Sequence, residues 1–307
     1  MSEIILHHYP FSLFAEKIRR ILAYKSVAWR CVEQPIVAPK PDLTALTGGY
    51  RRIPVMQIGA DVYCDSACIA RRLETLFPEP SCFPTQQIGV AQMIEDWADR
   101  RLVAQIMPTM VLAMLPRLPP DILVDREALS PTMTKPALTR VAPHAFAQAR
   151  LSLDRIDAQL RDRPFLLGDA FSIADAACFH PIWFMKHDAT AFAEVESRPA
   201  LAEWFGRLES FGCGRVEAMT NAAALATARE ATPQAVPETV VAIPGGLVLG
   251  DQVTVLPDDY GPEETHGTLA GLTANTVTIR RRDATLRDIA VHFPRVGYRV
   301  FKRQAPV

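Results

Sequence analysis

The spacing of apolar and polar positions changes twice along the chain. Residues 4–8 form an apolar run of strand length, closed by the turn Tyr9-Pro10-Phe11. Over residues 12–25, Phe14, Ala15, Ile18, Ile21 and Leu22 recur at helical spacing and predict an amphipathic helix. Residues 27–32 are rich in β-formers, and the prolines of 35–41 mark an irregular connection. Residues 55–58 and 62–64 predict a hairpin around Gly59-Ala60-Asp61. A helix over 66–76 follows, stopped by Phe77-Pro78-Glu79-Pro80. The order β-α-β, a short irregular helix, then β-β-α predicts a small α/β domain with a mixed sheet over residues 1–80.

From 86 to 229 the period is helical almost throughout, which predicts an all-α bundle. Its helices fall at 86–115 (bent or interrupted near Pro108), 143–160, 199–211 and 215–228. Ser172 followed by Asp175 reads as a capping box, with aspartate as a shorter stand-in for the usual Glu or Gln. Residues 230–238, with Pro233 and Pro237, read as a linker. Beyond it the period becomes two. Val253 and Val255 flank Thr254, Val277 and Ile279 flank Thr278, and Ile289, Val291 and Phe293 alternate with polar neighbours. Turns at Gly245-Gly246, Gly250-Asp251, Gly261-Pro262 and Gly271 punctuate these runs. Together they predict a small all-β, SH3-like barrel over 236–307, with Arg280-Arg281-Arg282 as a solvated turn.

Composition narrows the function classes. The chain has 307 residues, 49% hydrophobic and 22% charged, with a formal net charge of −1, so it lacks the basic footprint of a nucleic-acid binder. Its N-terminus has no basic n-region. The apolar run 102–115 is broken by Gln105, Pro108 and Thr109 and falls short of the roughly 20 residues that span a bilayer. A cytoplasmic protein without membrane segments is expected. The six cysteines are scattered, with no CxxC pair and no histidine pair beside Cys64 and Cys68. They read as buried thiols in a reducing compartment, with no metal site.

The candidate chemistry sits at Arg52-Ile53-Pro54-Val55 and Asp65-Ser66. A proline within a strand removes a ladder donor, and one way to keep it is a cis peptide that turns neighbouring backbone groups toward a ligand. An acid and a hydroxyl at a helix N-terminus suit a small zwitterion, since the helix N–H groups attract a carboxylate. The plain alternative is an N-cap at Asp65 with Ser66 in the first turn. Ser12 stands where it can cap the first helix, donate a hydrogen bond, or both.

The α/β layer with Ile53-Pro54, the Tyr9-to-Arg19 turn and helix, Asp65-Ser66 and the Ser172-to-Asp175 cap occur in the order found in the glutathione transferase superfamily. The resemblance covers about residues 3–228. It implies a thioredoxin-like glutathione-binding domain followed by an all-helical domain. It implies that Pro54 is cis, that Val55 binds the cysteinyl part of glutathione through its backbone, and that Ile53 belongs to the same glutathione-binding set. Asp65 and Ser66 would hold the γ-glutamyl end, and Arg52 would either face the glycyl carboxylate or stand as an exposed charge. Ser12 would donate to the sulfur and lower the thiol pKa from about 8.5 toward neutrality, with Tyr9 as the rival donor. Phe11, Met107, Met110 and Met114 are candidates for an adaptable apolar wall facing a hydrophobic electrophile, although a methionine stripe at helical spacing also suits a core. The implied reaction is attack of the glutathione thiolate on that electrophile, with glutathione as co-substrate and no metal. A homodimer is expected from the resemblance. The alternatives are a non-catalytic interaction module, a ligand carrier, and a glutathione-dependent isomerase or dehalogenase. The 236–307 segment departs from the two-domain pattern and is a candidate surface for a protein partner.

Overall fold

The computed structural model describes residues 3–236, 246–261 and 263–303; Pro237, Gly245 and Pro262 of the expected linker and turns lie outside the described residues. The first part of the chain runs β1 (Ile5–His8), α1 (Leu13–Tyr24), β2 (Ala28–Glu33), α2 (Pro41–Thr47), β3 (Val55–Ile58), β4 (Asp61–Cys64) and α3 (Ser66–Leu76). Helices α4 (Ile88–Trp97), α5 (Val103–Met114), α6 (Ile122–Glu127), α7 (Lys135–Leu160), α8 (Ile173–Phe184), α9 (Ala189–Glu196) and α10 (Pro199–Glu209) follow. The remainder is β5 (Arg215–Ala218), α11 (Asn221–Glu230), β6 (Gln252–Pro257), β7 (Thr265–Leu272), β8 (Thr276–Asp283), β9 (Arg287–Pro294) and β10 (Tyr298–Lys302). Two compact units partition these elements. One comprises the residues up to Pro10, Ala28–Arg72 and those from Val216 onward; the other comprises Phe11–Val27 and Leu73–Arg215.

The first unit is built on a sheet of order β10-β6-β7-β8-β9-β4-β3-β1-β2-β5. β1 pairs parallel with β2 and antiparallel with β3, and β3 pairs antiparallel with β4. The expected C-terminal strands are present. They form the antiparallel succession β6-β7-β8-β9, with β10 returning to pair with β6. They continue the N-terminal sheet, because β9 lies parallel to β4 with Val62 opposite Val291. Without β9, β4 would present an unpaired edge, which invites association with other chains.

The period-two pattern explains this arrangement. Val253, Val255, Val277, Ile279, Ile289, Val291 and Phe293 are all buried, in one apolar cluster with Leu43 and Leu46 of α2 and Val55 and Val62 of the hairpin. Each such side chain contributes about 1.5–3 kcal/mol on burial. Arg280-Arg281-Arg282 lies inside β8 rather than in a turn. The flanking Val277 and Ile279 fix the strand register, and the turn falls after it, where Asp283 Oδ1 accepts from the Thr285 and Leu286 N–H groups. Residues 215–218, expected as helix, form β5 beside β2. The following helix begins only where Thr220 accepts from the Ala223 N–H.

The second unit is helical. Within it α1 packs on α8, α5 on α7 and α4 on α8. The expected cap is present at the start of α8: the Ser172 N–H and hydroxyl both donate to Asp175 Oδ2, at 3.0 and 2.8 Å. Asp175 Oδ1 accepts from the Leu166 N–H and from Trp204 Nε1, so this one carboxylate ties three segments together. The interruption expected near Pro108 falls elsewhere. Pro108 lies inside α5, and the change of helical bonding is a π turn at Ala98–Leu102. Helix α7 starts well before Pro143, because Thr134 caps it and a proline already occupies its first turn.

Candidate active site

Strand β3 begins at the Ile53–Pro54 bond, which is cis. Pro54 and Val55 are buried, while Arg52 and Ile53 are half-buried. The hairpin partner β4 leads directly into α3, so Asp65 and Ser66 stand at the N-terminus of that helix. Asp65 adopts φ of +76°, in the left-handed region that few residues other than glycine tolerate. Its Oδ1 accepts from the Ala67 N–H at 2.8 Å, so the capping role is real. Its Oδ2 accepts from the Tyr298 hydroxyl at 3.2 Å. The Tyr50 hydroxyl oxygen lies 3.4 Å from that of Tyr298, and with the Tyr298 hydrogen on Asp65 it is Tyr50 that can donate across this gap. Burial, followed by the Asp65 charge or the partner tyrosine, raises both phenols well above their ordinary range, so both remain neutral hydroxyls. Ser66 is buried in the first turn of α3.

Arg52 is not an exposed charge. Its Nη2 donates to Asp259 Oδ1 at 2.8 Å and its Nη1 to Asp259 Oδ2 at 3.2 Å. Its guanidinium carbon lies 3.9 Å from the centre of the Tyr260 ring. The preceding Arg51 pairs with Glu263 at 3.4 Å. Tyr9, in the same unit, is half-buried, with the Lys40 ammonium 5.6 Å from its ring centre. His7 and His8 are packing residues. His7 bonds Gln57 at 2.9 Å and Gln34 at 3.2 Å, and His8 bonds the Cys31 sulfur at 2.9 Å.

In the helical unit, Ser12 caps α1. It is buried, and its Oγ accepts from the Ala15 N–H at 3.3 Å, which leaves the hydroxyl hydrogen to donate. Phe11 and Met107 are half-buried, whereas Met110 and Met114 are buried. A buried polar group that the sequence pattern does not flag lies one turn along α1. Lys17 Nζ donates to Glu95 Oε1 at 2.8 Å and to Asp99 Oδ2 at 2.6 Å, and His180 Nε2 is 2.9 Å from Asp99 Oδ1. Burial pushes the Asp99 carboxyl up, but Lys17 and His180 outweigh it and leave it below its ordinary range. Burial pulls His180 down, and its Nδ1 has no partner among the described residues. Asp99 is carried by the π turn, a geometry that often marks functional positions.

Of the six cysteines, Cys64, Cys68, Cys82 and Cys178 are buried, but Cys31 is half-buried and Cys213 exposed, so the expectation of buried thiols holds for four. Among the described residues no group of three or more His, Cys, Asp or Glu is arranged to hold a metal ion, and no helix is long and apolar enough to cross a membrane.

Comparison with known proteins agrees with this architecture. The family model of the glutathione S-transferase N-terminal domain matches residues 6–81, and that of the C-terminal domain matches residues 96–207. The structure of a GST-like protein from Pseudomonas syringae superposes with a TM-score of 0.84 at 36% identity, covering 99% of this chain and 100% of that one. A glutathione S-transferase from Rhodospirillum rubrum F11 gives 0.57 at 21% identity over 69% of this chain and 90% of its own. Glutathione transferase F7 from Populus trichocarpa gives 0.54 at 16% identity over 69% and 96%. These last two show the fold alone. No curated protein sequence matches the chain. With both family domains in sequence order and a full-length relative at 36% identity, the chain belongs to the glutathione transferase superfamily.

Proposed function

We propose that the protein binds glutathione and activates its thiol for attack on a small hydrophobic electrophile. The observation that carries this reading is the coincidence, in one compact unit, of the Ile53-Pro54-Val55 element leading into β3 and Asp65-Ser66 at the N-terminus of α3. A helix N-terminus favours an anion, and an adjacent carboxylate favours an ammonium, so the pair suits the two charges of a γ-glutamyl group. The residues that would hold glutathione are Ile53, Pro54 and Val55 at the cysteinyl part and Asp65 and Ser66 at the γ-glutamyl end. Bound glutathione supplies a thiol. Ser12, whose hydroxyl hydrogen remains free to donate, is the group assigned to stabilise the thiolate, with Tyr9 as the alternative.

Calorimetric titration of the full chain with glutathione tests this, with Ser66→Ala as the control. Saturable binding that weakens in the variant supports the site. A second reading, a fold that serves as an interaction module without taking up glutathione, draws on the engagement of Arg52 by the β6–β7 connection and of Asp65 by β10. Absence of binding to the folded protein would favour it.

A further inference from the structure

The connection from β6 to β7 brings a carboxylate to the arginine just ahead of Pro54. Asp259 meets Arg52 through two parallel N–H···O bonds of 2.8 and 3.2 Å, the fork geometry in which arginine normally reads a carboxylate ligand. Tyr260 covers the flat face of the same guanidinium at 3.9 Å. The backbone N–H of Tyr260 donates to Asp259 Oδ1 at 2.7 Å, which fixes the acid in place. The Arg52 side chain retains 13% exposure and that of Asp259 38%, so the acid is the more exposed partner of the pair. Glu263 of the same connection engages Arg51. Asp258 and Glu264 add further negative charge to the segment.

An incoming carboxylate therefore finds the Arg52 fork already filled and meets like charge around it. Both effects penalise a ligand that carries its own anion to this point. We propose that Asp259 takes the place of a ligand carboxylate at Arg52, so that the site selects γ-glutamyl thiols whose glycyl end is uncharged or absent. This rests on the glutathione reading above and specifies which thiols that site accepts. Asp65 and Ser66 are left to provide the charge recognition, at the γ-glutamyl end.

The test is calorimetric titration of the full chain and of Asp259→Asn with two ligands, glutathione and its glycyl ethyl ester. The native chain is expected to bind the ester at least as tightly as glutathione. Asp259→Asn is expected to bind glutathione about ten-fold more tightly, with ester affinity unchanged, because a charge-assisted fork becomes available to the ligand. A native chain that favours glutathione over the ester by about ten-fold or more would overturn the proposal, since that is the discrimination a free fork provides. So would an Asp259→Asn variant with an unaltered ratio of the two affinities. Should the variant fail to fold, the ratio in the native chain still decides. Failure of both ligands to bind either folded protein would instead remove the glutathione reading itself, a result distinct from binding with the wrong preference.

Discussion

Tyr298, on the last strand of the sheet, donates its hydroxyl hydrogen to Oδ2 of Asp65 over 3.2 Å and a sequence separation of 233 residues. Asp65 holds φ of +76°, a conformation that costs a non-glycine residue about 1–3 kcal/mol unless its surroundings impose it. Two fixed hydrogen bonds, from the Ala67 N–H and from Tyr298, do so here. Tyr298→Phe keeps the ring and removes one donor to a carboxylate, so it should lower stability by about 1–2 kcal/mol. Glutathione affinity should fall with it, through a less well fixed Asp65. Urea midpoints and calorimetry on the same variant would check both, and an unchanged midpoint would mean the contact contributes nothing.

Removal of the C-terminal strands should be far more damaging. Ending the chain after Glu230 strips Val255, Ile279, Val291 and Phe293 from the cluster they share with Leu43, Leu46, Val55 and Val62, and it leaves β4 with an open edge. Several apolar side chains at about 1.5–3 kcal/mol each exceed the 5–15 kcal/mol by which typical domains are stable. The truncated chain is expected to be insoluble or to lack a cooperative melt. A soluble truncation with a sharp thermal transition would show that the remaining residues form their own core.

Lys17 is predicted to be the most sensitive charged position of the helical unit. It is fully buried between Glu95 and Asp99, and Lys17→Met removes the ammonium that pairs with both the buried Glu95 and the half-buried Asp99. Breaking such a pair from one side costs about 3–5 kcal/mol. Because Asp99 is held below its ordinary pKa, its share of the stability is present above the unfolded value and is lost as pH falls through the folded one. Urea unfolding should therefore show a large loss in Lys17→Met near neutrality. It should also show a smaller gap between variant and native chain in acid, where Asp99 protonates. A gap independent of pH would assign the effect to packing.

Legibility in the sequence followed the range of the signals. The cis-proline element, the Asp65 cap, the Ser12 cap and the Ser172–Asp175 pair are written by neighbouring residues, and proline and capping side chains act locally. The partners of Arg52 and Asp65 lie 207 and 233 residues away, and only the pairing of β9 with β4 brings the C-terminal strands into the same sheet. Nothing in the local pattern specifies that register. Lys17 was hidden for another reason: on an amphipathic helix a lysine reads as solvated, and its burial depends on acids about eighty residues on. Proline is a visible breaker, so the sequence points to an interruption at Pro108, whereas the π turn at Ala98–Leu102 carries no residue signature. The alanine-rich segment behind residues 215–218 extends the helical pattern over them, although the Thr220 cap that starts α11 lies beyond the strand.

Ser12 carries two separable contributions. Its acceptor role toward the Ala15 N–H is a helix cap, whose loss in Ser12→Ala should cost about 1 kcal/mol in unfolding experiments. Its donor role toward a thiolate, if the proposed activation holds, should appear as a 10–100-fold fall in turnover and a rise in the pKa of bound glutathione, about the effect of one activating hydrogen bond. Lower stability with unchanged turnover would leave the cap as the whole of its function and move activation to Tyr9.

His7 should make the first unit acid-sensitive in a window set by its burial. Removal from water pushes its imidazole down to about 4, outweighing the hydrogen bond to Gln57, which acts the other way. Above its ordinary value of about 6.5 the ring is neutral in both folded and unfolded chains and contributes no pH dependence. As pH falls below that point the unfolded chain takes up a proton that the folded one refuses. Stability then declines between about 6.5 and 4, by roughly 3 kcal/mol in total. His7→Gln keeps a polar side chain that can bond Gln57 but does not titrate. It should flatten this part of the stability–pH curve, even if its stability at neutral pH is somewhat lower. Equal slopes for the native chain and the variant between pH 6.5 and 4 would mean that His7 is protonated in the folded protein.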